Sequence, residues 1–134
     1  MKKLQPQLRF PEFSEYWVEK KLGDVAIIIG GGTPNTKIEN YWNGNINWFT
    51  PTEIKRKYLK NSLRKISQAG LKHSSAKLLK ENTILLSTRA TVGDAGIALF
   101  RCATNQGFQS LEVKKIIILG SIIFILRTLP YYFA

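Results

Sequence analysis

The sequence is poor in the residues that most often carry chemistry. It has one cysteine, Cys102, and one histidine, His73, in 134 residues. A single cysteine excludes an internal disulfide and suits a reducing compartment. One histidine without a second histidine or a cysteine cluster offers no metal-ligand spacing, and no serine–histidine–aspartate order stands out. Acids are scarce too: 9 Asp and Glu face 20 Lys and Arg, a formal charge of +11. Such a balance speaks of partners: nucleic acid, an anionic membrane surface or an acidic protein. Long apolar runs are missing as well. Ile116 to Leu126 (IIILGSIIFIL) is the longest, and it stops at Arg127. A bilayer needs about 20 such residues, so this run is expected to form a buried helix or strand pair, not a membrane span. The opening MKKLQPQLRFPEF has two lysines without an apolar run behind them and does not read as a secretory signal. No dinucleotide-type glycine fingerprint and no methyl-donor loop is found, which argues against an enzyme.

What is present is an ordinary globular composition, with 44% apolar residues. That is enough for the core of one domain. Residues 5 to 16 read as an extended lead-in marked by Pro6 and Pro11. Leu22 to Ala26 suits a short helical turn, and Ile27 to Ile29 a buried strand stopped by Gly30-Gly31-Gly32. Asn43-Gly44-Asn45 signals a tight turn before the strand Ile46 to Phe49. Ser67 to Leu79 has helical character, weakened by Gly70. Thr83 to Ser87 and Gly96 to Phe100 suggest a hairpin around Gly93-Asp94, and Phe108 to Val113 alternates like a further strand. These elements point to an α+β fold, a mixed, β-rich sheet domain with short helices. Ile46 to Phe49, Leu85-Leu86 and Ile97 to Phe100 are expected to form its rigid platform.

The strongest single feature is a run of one-signed charge. From Lys55 to Lys80 lie Lys55, Arg56, Lys57, Lys60, Arg64, Lys65, Lys72, Lys77 and Lys80, with no acid among them. Trp48, Phe49 and Tyr58 are nearby. Cations neutralise phosphates, and amide or guanidinium side chains can address bases. Lys55, Arg56, Lys57, Lys60, Arg64 and Lys65 are expected to hold phosphates, with Arg56, Asn61, Arg64 and Gln68 as candidate base readers. Lys37, Lys72 and His73 extend this surface. The loop GGGTPNTK (Gly30 to Lys37) lacks phosphate-loop spacing, and a turn needing positive φ is the simpler reading. A metal nuclease would need paired carboxylates near a lysine. Glu53-Ile54-Lys55, and Asp94 with Glu112-Val113-Lys114, fit that pattern only loosely. Cys102 reads as a small buried apolar residue.

Seven fragments occur in order: LRFPEF (Leu8 to Phe13), W-x-x-KKLGDVA (Trp17 to Ala26), GGGTP (Gly30 to Pro34), YWNG (Tyr41 to Gly44), WFTPTEI (Trp48 to Ile54), LLSTRATVG (Leu85 to Gly93) and ATNQGFQSL (Ala103 to Leu111). Together they resemble a target recognition domain of the specificity subunit of type I restriction-modification enzymes. The resemblance implies a non-catalytic, cytoplasmic DNA-binding protein that reads one half of a bipartite site. It implies double-stranded DNA, a methyltransferase subunit and a restriction subunit as partners, with a second copy of the specificity subunit as a further one. S-adenosylmethionine, ATP and Mg then belong to the partner subunits and no cofactor to this chain. Arg89 and Asn105-Gln106 lie in recurring motifs, so they are expected to brace loops or touch the DNA backbone. The expected division is a lead-in over 1–16, a partial recognition domain over 17–113 and an apolar segment over 114–134, as in a truncated subunit. The alternatives are a fragment without specific DNA binding and a metal-dependent nuclease.

Overall fold

Short strands, of two to eight residues, alternate with glycine- and proline-marked turns, and helices have little room to grow. A computed structural model describes Pro11, residues 21–89 and residues 92–114. Nearly all of the lead-in, and the apolar run Ile116 to Leu126, lie outside the described residues. The described elements are α1 (Leu22–Val25), β1 (Ala26–Gly30), β2 (Trp42–Phe49), β3 (Tyr58–Leu59), β4 (Arg64–Ile66), α2 (Gln68–Lys72), β5 (Ile84–Leu86), β6 (Ala95–Ala98), β7 (Cys102–Thr104) and β8 (Gln109–Val113). Single turns of 3-10 helix at Glu39–Tyr41 and Pro51–Glu53 precede and follow β2. The α+β, mixed-sheet expectation is met.

The strands form two sheets. One has five strands in the order β1-β8-β5-β6-β3, the other three in the order β4-β2-β7. β5 and β6 pair antiparallel, with Ile84 opposite Ile97, which is the expected hairpin. Two pairings are parallel, β3 with β6 and β2 with β7. The expected platform is thus split, because β2 belongs to one sheet and β5 and β6 to the other.

Strand alternation explains the core. Successive residues point to opposite faces of a sheet. Ile84 and Ile97 therefore pack with Ala26, Ala95 and Leu111 on one face of the larger sheet. Leu85, Ala98 and Leu59 point the other way and meet Phe49, Cys102, Leu79 and Phe108. Since Phe49 and Cys102 come from the smaller sheet, this second cluster joins the two sheets. Trp48 and Ala103, their neighbours in sequence, point to the opposite face of the smaller sheet and form a third buried cluster with Ile46, Ile66 and Ala76. Fully burying a leucine or phenylalanine contributes roughly 1.5–3 kcal/mol, so this joint is the main cohesive element.

Several sequence readings are corrected. β1 forms as expected but is not buried: Ile27 is 51% and Ile28 48% exposed. Among the described strands it lies at the edge of its sheet, paired with β8. Asn43-Gly44-Asn45 is no turn between strands but an irregularity inside β2. Trp42 and Ile46 both oppose Ile66, and Asn43 adopts φ 59°. A bulge absorbs the extra residues that the motif carries. The helix expected over Ser67 to Leu79 contracts to Gln68–Lys72. Ser67 caps its start by accepting from Gly70 N at 3.1 Å, and Ser74 Oγ donates to Gly70 O at 2.7 Å near its end. Leu79 has left the helix altogether and exchanges backbone hydrogen bonds of 2.7 and 3.2 Å with Cys102.

Candidate nucleic-acid interface

The basic segment crosses from one sheet to the other. Lys55, Arg56 and Lys57 lead into β3 at the edge of the larger sheet, and Arg64 and Lys65 sit on β4 at the edge of the smaller. Residues 60–63 join them. Lys55, Arg56, Lys57, Lys60, Asn61 and Arg64 are exposed, and Lys65 is half-buried. Among the described residues, no cation from Lys55 to Lys77 forms an ion pair. Lys80, counted with them in the sequence, does pair: its Nζ lies 3.2 Å from Glu112 Oε1.

The joining segment is held by hydrogen bonds rather than by packing. Asn47, on β2, donates from Nδ2 to Lys60 O at 3.1 Å and accepts from Ser62 N at 3.1 Å. Ser62 Oγ accepts from Trp48 N at 2.9 Å and donates to Arg64 O at 2.5 Å. Glu53 Oε1 accepts from Leu63 N at 2.7 Å, while its Oε2 accepts from Thr50 N at 2.7 Å. Thr50-Pro51-Thr52-Glu53 is a capping box with proline at the first helical position. That signal was present in the sequence; the second use of Glu53, ten residues downstream, was not. Asn47 and Ser62 carried no sequence signal, because they pair with each other across 15 residues of chain.

Arg64 is engaged differently from the expected base reader. Its guanidinium lies 3.9 Å from the Trp42 ring centre and 5.5 Å from that of Trp48. The two rings meet edge to face at 5.0 Å. Trp42 is in turn tied to the glycine loop, since its Nε1 donates to Asn35 O at 3.2 Å. Lys37 sits on the same turn and is exposed, with its backbone N bonded to Asn35 Oδ1 at 3.0 Å. His73 closes α2 and stacks on Tyr41, with ring centres 5.7 Å apart. Gln68 and Lys72 are the first and last residues of that helix, both exposed. Lys37, Arg64, Gln68, Lys72 and His73 thus share the β4–α2 side. Lys55, Arg56, Lys57, Lys60 and Asn61 line the β3 side, where Lys57 Nζ stands 5.3 Å from the Tyr58 ring.

Arg89 belongs to another set of loops. Next to it, Thr88 N donates to Gly107 O at 2.9 Å, so the STRATVG and TNQGF motifs are bound together. The glycine loop joins them: Gly32 N donates to Thr104 O at 2.9 Å and Thr33 Oγ1 to Gln106 Oε1 at 2.6 Å. Asn105 Oδ1 accepts from Gly107 N at 2.9 Å, which is a bracing role. Gln106 is exposed and accepts from Thr33. The glycines of this loop serve close approach, not positive φ. Among described glycines only Gly93 has positive φ, at 91°. A Cβ on Gly31 would collide with Asn105 O and Thr104, and one on Gly32 with Ser75 and Ala76 N.

The loosely matched nuclease residues do not converge. Both Glu53 oxygens are engaged and Glu112 pairs with Lys80. Among the described residues, no three His, Cys, Asp or Glu side chains group where they could hold a metal ion. A cleft of about 430 Å³ between Lys80, Arg101, Glu112 and Lys114 mixes both signs of charge and takes only Lys80, the last cation of the basic run, from that segment. Cys102 is fully buried, and burial pushes its thiol up to about 12, which makes it a poor nucleophile. Among the described residues, no helix is long and apolar enough to cross a membrane.

Comparison with known proteins agrees with the motif order. The family described as "Type I restriction modification DNA specificity domain" matches residues 14–131. The type I restriction enzyme MjaIX specificity subunit of Methanocaldococcus jannaschii is 34% identical over 115 residues, spanning 84% of this chain and 27% of that protein. The EcoprrI specificity subunit of Escherichia coli is 36% identical over 97 residues, 70% of this chain and 24% of that protein. This chain therefore spans about a quarter of the length of these relatives. The solved HsdS subunit from Thermoanaerobacter tengcongensis superposes with a TM-score of 0.64 over 93% of this chain and 30% of its own, at 22% identity. A chain from a type I R-M system superposes with a TM-score of 0.61 over 81% of this chain and 26% of its own, at 24% identity. Those two likenesses establish a shared fold. Motif order, the match over 14–131 and the identity to specificity subunits together place the chain in the type I restriction modification DNA specificity domain family, whose role is recognition and not catalysis.

Proposed function

We propose that this chain binds double-stranded DNA as the target-recognition part of a type I restriction-modification specificity subunit. It reads one half of a bipartite site in the cytoplasm. Residues 17–113 form the recognition unit. A methyltransferase subunit and a restriction subunit, positioned through the remainder of the specificity subunit or a second copy of it, perform the chemistry with S-adenosylmethionine, ATP and Mg. The observation that carries this reading is the cationic segment Lys55 to Lys65, without an ion pair among the described residues, which crosses from one sheet to the other on a hydrogen-bonded connection. A held backbone gives its charges fixed positions, and fixed cations set a protein's register on a duplex.

Fluorescence anisotropy with duplex DNA at several salt concentrations tests the reading. If about five phosphates are neutralised, log affinity should fall against log salt with a slope of roughly −4 to −5. Changing Lys55, Arg56 and Lys57 to glutamine should weaken every duplex alike and flatten that slope. Absence of binding at physiological salt, or a flat dependence, would replace it with a fragment that has no DNA partner.

A further inference from the structure

Leu63 is the most solvent-exposed of the large apolar side chains described, at 86%. Exposed single leucines are common on protein surfaces. Leu63 is distinguished by how it is held. Its own N–H is bound by Glu53 Oε1 at 2.7 Å. The residue before it, Ser62, is fixed through both backbone and side chain to Asn47 and Trp48. The residue after it, Arg64, lies against Trp42. The backbone around Leu63 therefore turns its polar groups inward and leaves the isobutyl group outward. Lys60, Arg64 and Lys65 flank it in the chain, and Asn61 is exposed beside it.

Resting on the proposed DNA-binding reading, we infer that Leu63 is a specificity-determining residue that packs against a thymine methyl group in the major groove. A leucine side chain has no hydrogen-bonding atom, so it cannot read the donors and acceptors of base edges. The thymine C5-methyl is the one apolar feature that a base pair presents in that groove. The flanking cations bring the segment to the phosphates, and the hydrogen-bonded connection holds the leucine at a fixed height above them. Arg64 rests its guanidinium against Trp42, and Leu63 and Asn61 stand exposed beside it at the tip.

The test begins with selection of bound duplexes from a random-core pool by the full 134-residue chain. Each thymine of the enriched site is then replaced by uracil, which removes only the methyl group. Wild type should lose about fourfold in affinity at one thymine, the effect of one buried methyl group. Leu63→Ala should bind the thymine and uracil duplexes equally, and Leu63→Met should regain the preference. Thermal unfolding of both variants reports whether the fold is retained. Equal sensitivity of wild type and Leu63→Ala to every replacement, or a uniform loss across all duplexes, overturns the inference while DNA binding stands. If wild type enriches no duplex, the DNA-binding reading itself fails and takes the inference with it.

Discussion

Glu53 and Leu63 are joined by a hydrogen bond of 2.7 Å from the leucine N–H to carboxylate Oε1. The other carboxylate oxygen accepts from Thr50 N, also at 2.7 Å. One side chain thus ties the end of β2 to the tip of the connection between the two sheets. A carboxylate is suited to this because it has two oxygens and accepts only.

Removing that carboxylate should loosen the connection. Glu53→Ala should lower the unfolding free energy by about 2 kcal/mol, since two backbone donors lose a charged acceptor. Glu53→Gln keeps one acceptor and should cost less. Urea unfolding followed by circular dichroism measures both, and equal midpoints for wild type and Glu53→Ala would remove Glu53 as the tie.

Arg64 should matter more for the aromatic cluster than for any one base. Arg64→Lys loses the planar stack over Trp42 while keeping the charge. Stability should fall by about 1 kcal/mol, and acrylamide should quench tryptophan emission more strongly as Trp42 is uncovered. Unchanged quenching in Arg64→Lys would show that the stack does not shield Trp42.

Two glycines should answer alanine in opposite ways. Gly31 faces Asn105 O and Thr104 with no room for a Cβ, so Gly31→Ala should cost about 3 kcal/mol through backbone displacement. Gly23 in α1 has nothing within 4 Å, so Gly23→Ala should stabilise by up to about 1 kcal/mol. Paired thermal melts check this, and similar shifts for the two would contradict the close approach at Gly31.

Cys102 gives a pH dependence of known sign. Burial raises its thiol from 9.0 to about 12, so the folded state holds a proton that the unfolded state releases in that range. Its stabilising contribution is complete below pH 9.0 and is lost as pH rises toward 12. The measured quantity is the difference between wild type and Cys102→Ala, which isolates the thiol. Wild type should lose stability more steeply above pH 9, and its thiol should react with a disulfide reagent only after unfolding. Rapid reaction of the native thiol at pH 8 would contradict the burial.

Much of the site was open to reading before any coordinates. The one-signed run from Lys55 to Lys80 is visible because charge is a property of single residues. The capping box at Thr50 to Glu53 is visible because both partners lie within one turn. Asn47 and Ser62 gave no such signal. Each is a common polar residue whose role comes from the other, 15 positions away in the chain. Arg64 shows the same limit from the other side: as a residue type it suits guanine, but its neighbours across β2 are tryptophans that occupy its face.

The sequence by itself determined the family, the cationic character and most of the strand set, because motif order, composition and period-two alternation are local properties. Tertiary structure alone decided the rest. It split the strands into two sheets, left β1 at an edge with Ile27 and Ile28 exposed, and absorbed Asn43-Gly44-Asn45 into a bulge. It also made Leu63 the exposed tip of a pinned connection. These outcomes depend on which strands lie side by side, and pairing between distant segments is settled by the shared burial of side chains such as Phe49, Cys102 and Leu85, not by any residue's own preference.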